Sequence, residues 1–236
     1  VDLLLEQTVG PPGSPRTASV FMTDRSDGDV ASTIWPADLT AQIGGGINSV
    51  AENRISVFRQ VHGARVRRIL RPGDHRGAEA DAGVTHASNA PIAVRVADCV
   101  PVGLVARNGT IGVAHAGWRG LQAGVLESAV GEMRAGSADR CSITAVVGPC
   151  IGPECYEFGA GDLDTLADQF GDAVRSRTQT GTAALDMSEA VRAELNRLEL
   201  DEVIWSNPCT ACDADRFWSW RARAEAGRQA MVVVLR

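Results

Sequence analysis

Residues 91–106 read PIAVRVADCVPVGLVA and residues 110–116 read TIGVAHA. Both are β-branched, apolar runs bounded by Pro, Gly or Asn, the pattern of strands. ISVF at 55–58, ARVRRIL at 64–70 and SITAVVG at 142–148 repeat it on either side. Helical periodicity alternates with these runs. After Gly120, Leu121, Val125, Ala129 and Met133 recur every fourth residue while Gln122, Glu127, Ser128 and Glu132 fall elsewhere, so one amphipathic helix is expected there. A second is expected over 162–170. A third is expected over 188–198, where Val191, Leu195 and Leu198 share a face and Asp186 is placed to cap. DEVIWS (201–206) and AMVVVL (230–235) read as closing strands, the second after a short helix through 222–228. Strands and helices mix without a regular βαβ rhythm, so the expected class is an α+β sandwich and not a doubly wound sheet.

Two hundred and thirty-six residues make one large domain spanning 1–236 the default. A net charge of -6 argues against nucleic acid or an anionic membrane as partner, because a polyphosphate surface needs a basic field; a small molecule is expected instead. No apolar run approaches the roughly 20 residues of a membrane span. Residues 1–6 lack the basic region and long apolar stretch of a signal peptide, which reads as a cytoplasmic chain. All 23 basic residues are Arg, so no Lys Schiff base or P-loop Lys exists and Arg is the only strong cationic handle for phosphate. GPPGSP at 10–15, residues 26–29 and Gly44–Gly46 carry turn chemistry, so residues 10–50 read as mobile loops around brief strands.

The chemistry concentrates in QVHG (60–63), ADC (97–99) and AHAGWRG (114–120), each at a strand-to-turn junction. Taken singly, a strand-end His is a cap and a Cys on an apolar strand is a small hydrophobe. Together, His62, Cys99 and His115 make a three-ligand set with an open fourth position, the form of a catalytic zinc site. The same trio without metal is a Cys nucleophile flanked by a His base. It also suits copper, but none of Met22, Met133, Met187 and Met231 adjoins these motifs to serve as the weak axial ligand of a blue-copper site. His75 and His86 fall in polar loop sequence and read as surface residues. Six Cys are too few for a disulfide framework of this length. Cys209 and Cys212 form a CxxC, and with Cys150 and Cys155 they offer a four-thiolate structural zinc site, a weaker reading because a Pro interrupts the second pair.

QVHG, ADCVPV, HAGWRG, GPCIGPECYEFG and the late CT with FWSWR resemble, in that order, the YfiH-type family. That family is also called the multicopper polyphenol oxidase or laccase-domain family, purine nucleoside phosphorylase of the YfiH type, and peptidoglycan editing factor. The resemblance implies a four-layer α/β/β/α sandwich with mixed sheets and a zinc or copper site on His62, Cys99 and His115. It implies phosphorolysis of adenosine, inosine or methylthioadenosine with adenosine deamination. Copper-dependent phenol oxidation, amidase editing of a cell-wall precursor and a non-catalytic domain retaining the fold are the alternatives. Arg25, retained in an otherwise altered early loop (Thr23 to Gly28), and Arg119 are the expected anion holders, Arg119 just before a helix start near Leu121. The family's next stretch is barely visible in Leu39 to Gly46, although Asn53-Arg54 is kept. Its aromatic-Ser-aromatic-Arg-Arg appears as Trp218-Ser219-Trp220-Arg221-Ala222, one Arg short.

Overall fold

The computed structural model describes residues 1–31, 54–135 and 141–236. Two mixed sheets pack face to face. The first holds β1 (Asp2–Val9), β2 (Arg16–Met22), β3 (Ser56–Val57), β6 (Ile92–Val96) and β13 (Gln229–Leu235), in the order β1-β2-β13-β6-β3. The second holds β4 (Val66–Ile69), β5 (Ala82–Thr85), β7 (Val100–Ala106), β8 (Ile111–Ala116), β9 (Ile143–Val147) and β12 (Glu202–Trp205), in the order β12-β9-β7-β8-β5-β4. A short ribbon, β10 (Arg175–Arg177) with β11 (Ala183–Leu185), stands apart. The long apolar run of 91–106 is therefore two strands. β6 ends in one sheet, the chain turns at Asp98 and Cys99, and β7 begins in the other.

Burial follows from the period of the strands. Val20, Met22, Val94, Val96, Met231 and Val233 of the first sheet meet Val105, Ile111, Val113 and Val146 of the second in one apolar layer. The alternate residues of the second sheet, Val100, Val102, Leu104, Ala114 and Ala116, face the helices. Those helices are α1 (Trp118–Gln122), α2 (Val125–Arg134), α3 (Ala160–Phe170) and α4 (Met187–Arg197). Their inner faces carry Leu126, Val130 and Met133, then Leu163 and Leu166, then Val191 and Leu195. A last turn of helix, α5 (Trp220–Arg223), precedes β13. The outer face of the first sheet buries Phe21, Ala93, Val232 and Val234 with Val30 and Ile55. The described residues do not include a helical layer over that face, and Leu39 to Gly46 and Asn53 lie outside them.

The α+β sandwich with mixed sheets is thus the observed class, and its helices sit where periodicity puts them, with two corrections. The short helix expected through 222–228 is the single turn Trp220–Arg223, and residues 224–228 are not helical. The single helix expected after Gly120 is two. Gly124, at φ +85°, breaks the run, so α1 already begins at Trp118 and α2 restarts at Val125. Asp186 caps α4 as expected, accepting the Glu189 N–H at 3.0 Å. The loops expected across 10–50 give way over residues 16–22 to the seven-residue strand β2, paired with β1 on one side and β13 on the other. No helix among the described residues is long and apolar enough to cross a membrane.

Candidate metal centre and its cleft

His62 lies in the loop between β3 and β4, Cys99 on the turn between the sheets, and His115 one residue before the end of β8. The fold brings them together: their ligand atoms all lie within 4.8 Å of one another. His62 Nε2 is 3.8 Å from Cys99 Sγ, and the two imidazole rings meet edge to face at 4.8 Å. Gly117 makes the approach possible, since a Cβ there would come within 2.7 Å of the His62 ring and 3.1 Å of Cys99 Sγ.

Asp81, at the residue before β5, organises the set. It is 0% exposed. Its carboxylate accepts the backbone N–H groups of Val61 (3.2 Å), His62 (2.9 Å) and Gly63 (2.8 Å), which pins His62 at φ +58°. It also accepts His115 Nδ1–H at 2.9 Å. A carboxylate can only accept, so Nδ1 carries the proton and Nε2 is the nitrogen left for a ligand bond, as in a carboxylate–histidine–metal arrangement. Asp98 fixes the turn that carries Cys99. Held at φ +93°, its carboxylate accepts the Thr210 hydroxyl (2.8 Å) and the Arg221 N–H (2.7 Å).

Burial disfavours charge on both Cys99 and His115, but each supplies the other's counter-charge. The thiol is brought down to about 6 by His115 and His62, and the imidazole is raised to about 9 by Cys99 and Asp81. Two imidazoles and a readily ionised thiol, pre-aimed by buried carboxylates, fit a divalent metal with N and S ligands and one position open to the cleft.

That cleft encloses about 620 Å³. Trp118, Tyr156 and Trp220 stand in its wall, Trp220 being 57% exposed. Arg95, Arg119, Arg221 and Arg228 also line it, and none makes a salt bridge to a described carboxylate. Arg95 donates to the carbonyls of Ala31 and Phe58, Arg221 to that of Glu157, and Arg228 to those of residues 225–227. Arg119, exposed and stacked 4.1 Å over the Trp118 ring, lies in the first turn of α1 and not ahead of a helix at Leu121. Arg25 is placed elsewhere. Its guanidinium is committed to the Glu225 carboxylate and the Phe217 carbonyl, it packs 5.1 Å over Trp218, and it is not among the cleft residues. The sharp reading of Arg25 as an anion holder therefore yields to a structural pair. His75 and His86 are exposed, as expected. Asp81 and Tyr156 are the residues that motif reading passed over. The signal available for Asp81 was an acid set directly before a short apolar strand.

A two-sheet α+β sandwich with a His–Cys–His set at the junction of its sheets defines a small protein whose cleft carries a candidate metal site. The chain belongs to the family described as multi-copper polyphenol oxidoreductase laccase, whose model matches residues 39–236. It is 39% identical over 184 residues to a purine nucleoside phosphorylase of Streptomyces coelicolor, covering 77% of this chain and 75% of that one. It is 32% identical over 214 residues to the purine nucleoside phosphorylase YfiH of Escherichia coli, covering 84% and 86%. Its fold is shared with YlmD of Geobacillus stearothermophilus (TM-score 0.75, 24% identity, covering 96% and 94%) and with the hypothetical protein YfiH of Bacillus licheniformis (TM-score 0.76, 23% identity, covering 94% and 93%).

Proposed function

We propose that this chain is a zinc-dependent purine nucleoside phosphorylase in which residues 1–236 act as one catalytic unit and His62, Cys99 and His115 hold the metal. The observation that carries the reading is the meeting, in one cleft, of that ligand set with arginines that have no described carboxylate partner. Zinc bound there supplies Lewis acidity without redox cycling. The chain's own residues do the rest. Asp81 keeps the His115 proton on Nδ1 and so keeps Nε2 basic. Arg119 and Arg228 hold the charge of inorganic phosphate beside the anomeric carbon, a task for which this chain has no Lys. Exposed Trp220 offers a stacking face for the purine. Tyr156, its hydroxyl pushed up to about 12 by burial, keeps its proton and can donate a hydrogen bond to the departing base.

Adenosine, inosine and methylthioadenosine are the proposed substrates, with adenosine deamination as a second reaction in which water attacks C6 of the adenine ring and ammonia leaves. The test is ribose 1-phosphate formation from adenosine against phosphate concentration, with metal content measured on the same sample. Saturable, phosphate-dependent formation is expected, weakened about tenfold or more by Arg119→Ala with metal retained. Phenol oxidation by the copper-loaded protein, with no turnover of any nucleoside by the zinc protein, would reverse the reading in favour of the copper oxidase that the family description names.

A further inference from the structure

A second cluster of soft ligands lies behind the cleft wall. Glu154 and Cys155 sit on the single 3₁₀ turn Pro153–Cys155, and Cys209 and Cys212 form the CxxC that enters the segment before α5. The two segments run side by side through a parallel bridge between Cys150 and Cys209. Their side chains converge. Cys155 Sγ is 3.5 Å from Cys212 Sγ, the Cys212 thiol lies 3.3 Å from Glu154 Oε1, and one ligand atom from each of Glu154, Cys155, Cys209 and Cys212 lies within 4.8 Å of the others. Cys150, which the sequence pairs with Cys155, is not in the group. It is 1% exposed and faces Ser188 Oγ at 3.6 Å. Glu154 takes its place.

We propose that Glu154, Cys155, Cys209 and Cys212 form a second metal site, a structural zinc held by three thiolates and one carboxylate. Four donors around zinc at roughly 2.3 Å for sulfur stand about 3.8 Å apart along the tetrahedral edges, and the donors here, 3.3 and 3.5 Å apart in two pairs and at most 4.8 Å in any, bracket that spacing. Cys209 Sγ accepts the Gly152 N–H at 3.1 Å, an outer hydrogen bond of the kind that orients a metal-bound thiolate. Gly152 has no Cβ because the Glu154 carboxylate folds back into the space a Cβ would fill. Cys212 is exposed and the other three ligands are half-buried, so an ion can enter from solvent without opening the core.

The site ties together the two segments that shape the cleft. One continues directly into Tyr156. The other carries Thr210, whose hydroxyl holds Asp98 beside Cys99, and runs on to Trp220 and Arg221. A zinc here fixes the wall against which the first metal works, with no open position and no part in the chemistry.

The two sites separate cleanly by substitution. The full chain, purified under reducing conditions without added metal, is analysed for zinc as wild type, as Cys99→Ala and as Cys155→Ser/Cys212→Ser. Cys99→Ala is expected to retain one zinc per chain, and the double variant to lose one relative to wild type. Should the double variant fail to fold, cobalt titration of Cys99→Ala decides. Thiolate-to-cobalt charge-transfer absorption of the strength of three thiolates is expected, lowered to that of two in Cys99→Ala/Cys212→Ser. Zinc content unchanged by Cys155→Ser/Cys212→Ser, no zinc in Cys99→Ala, cobalt bound without charge transfer, or an intact mass two hydrogens light from a Cys155–Cys212 disulfide would each overturn the proposal. None of these outcomes depends on whether the His–Cys–His set serves a phosphorylase.

Discussion

Asp81 accepts three backbone N–H groups and one imidazole N–H with a single carboxylate. Asparagine in its place keeps the shape but turns one acceptor into a donor, so either the His62 N–H and His115 Nδ1–H, which share Oδ1, or the Val61 and Gly63 N–H groups, which share Oδ2, lose their anchor. Asp81→Asn is therefore expected to weaken metal binding 10- to 100-fold, read by competition with a chelator. The proposed ligands His62, Cys99 and His115 were legible in the sequence because each stands at a strand end beside a Gly or a turn. Their organiser was not, since accepting N–H groups leaves no motif. Glu154 was missed for a related reason: cysteine spacing points to Cys150, and only the backbone shows that the strand-end thiol is buried. Arg25 misled in the opposite direction. Its loop offers no core role, yet Glu225, 200 residues away, supplies its partner. Arg25, Arg223 and the Ser219 N–H hold Glu225 down to about 2, against the ordinary 4.5, in spite of some desolvation. A depressed carboxylate stabilises the fold fully above pH 4.5 and loses that contribution as pH falls toward 2. Glu225→Gln is expected to be less stable than wild type at pH 6, with the difference shrinking steadily as pH is lowered from 4.5 toward 2, measured by urea midpoints.

At the scale of elements, strands were legible where burial made them long and β-branched, as in β7, β8, β9 and β13, and hidden where it did not. β1 exposes Leu3 and alternates weakly, and β5 is only four residues long, so neither stands out from its turns. Gly103 shows how closely the two sheets meet. A Cβ there would come within 2.9 Å of Val20 Cγ1 and 3.2 Å of Met231 Sδ, both in the opposing sheet. Gly103→Ala trades better strand propensity for overpacking, and overpacking of a dense interior costs about 1–3 kcal/mol. A lower denaturant midpoint with an unchanged slope is expected. Retained stability would mean that the sheets can slide apart at no cost. The break between α1 and α2 was illegible because Gly124 falls between apolar positions that keep their fourfold spacing across it.

Over the whole molecule, a net charge of -6 surrounds a cleft lined by five arginines, of which Arg59 alone is paired with a described carboxylate, that of Glu79. The acidic surface repels an incoming phosphate that the cleft attracts, and at 0.15 M salt the Debye length of about 8 Å screens the first more than the second. In the proposed reaction, raising ionic strength from low values is expected to change KM for phosphate while leaving kcat nearly constant, a split that steady-state kinetics reads directly. The strand order carries a different consequence, in time instead of space. β13 lies between β2 and β6, so the centre of the first sheet waits for residues 229–235, while every strand of the second is available once residue 205 has been made. During synthesis the β4–β12 sheet and its helices can assemble with one apolar face still uncovered, and β2, made more than 200 residues earlier, stays unpaired on that side until β13 arrives. Such late, distant pairing slows folding and leaves an adhesive surface exposed. The nascent chain is a natural client for a chaperone up to its last seven strand residues.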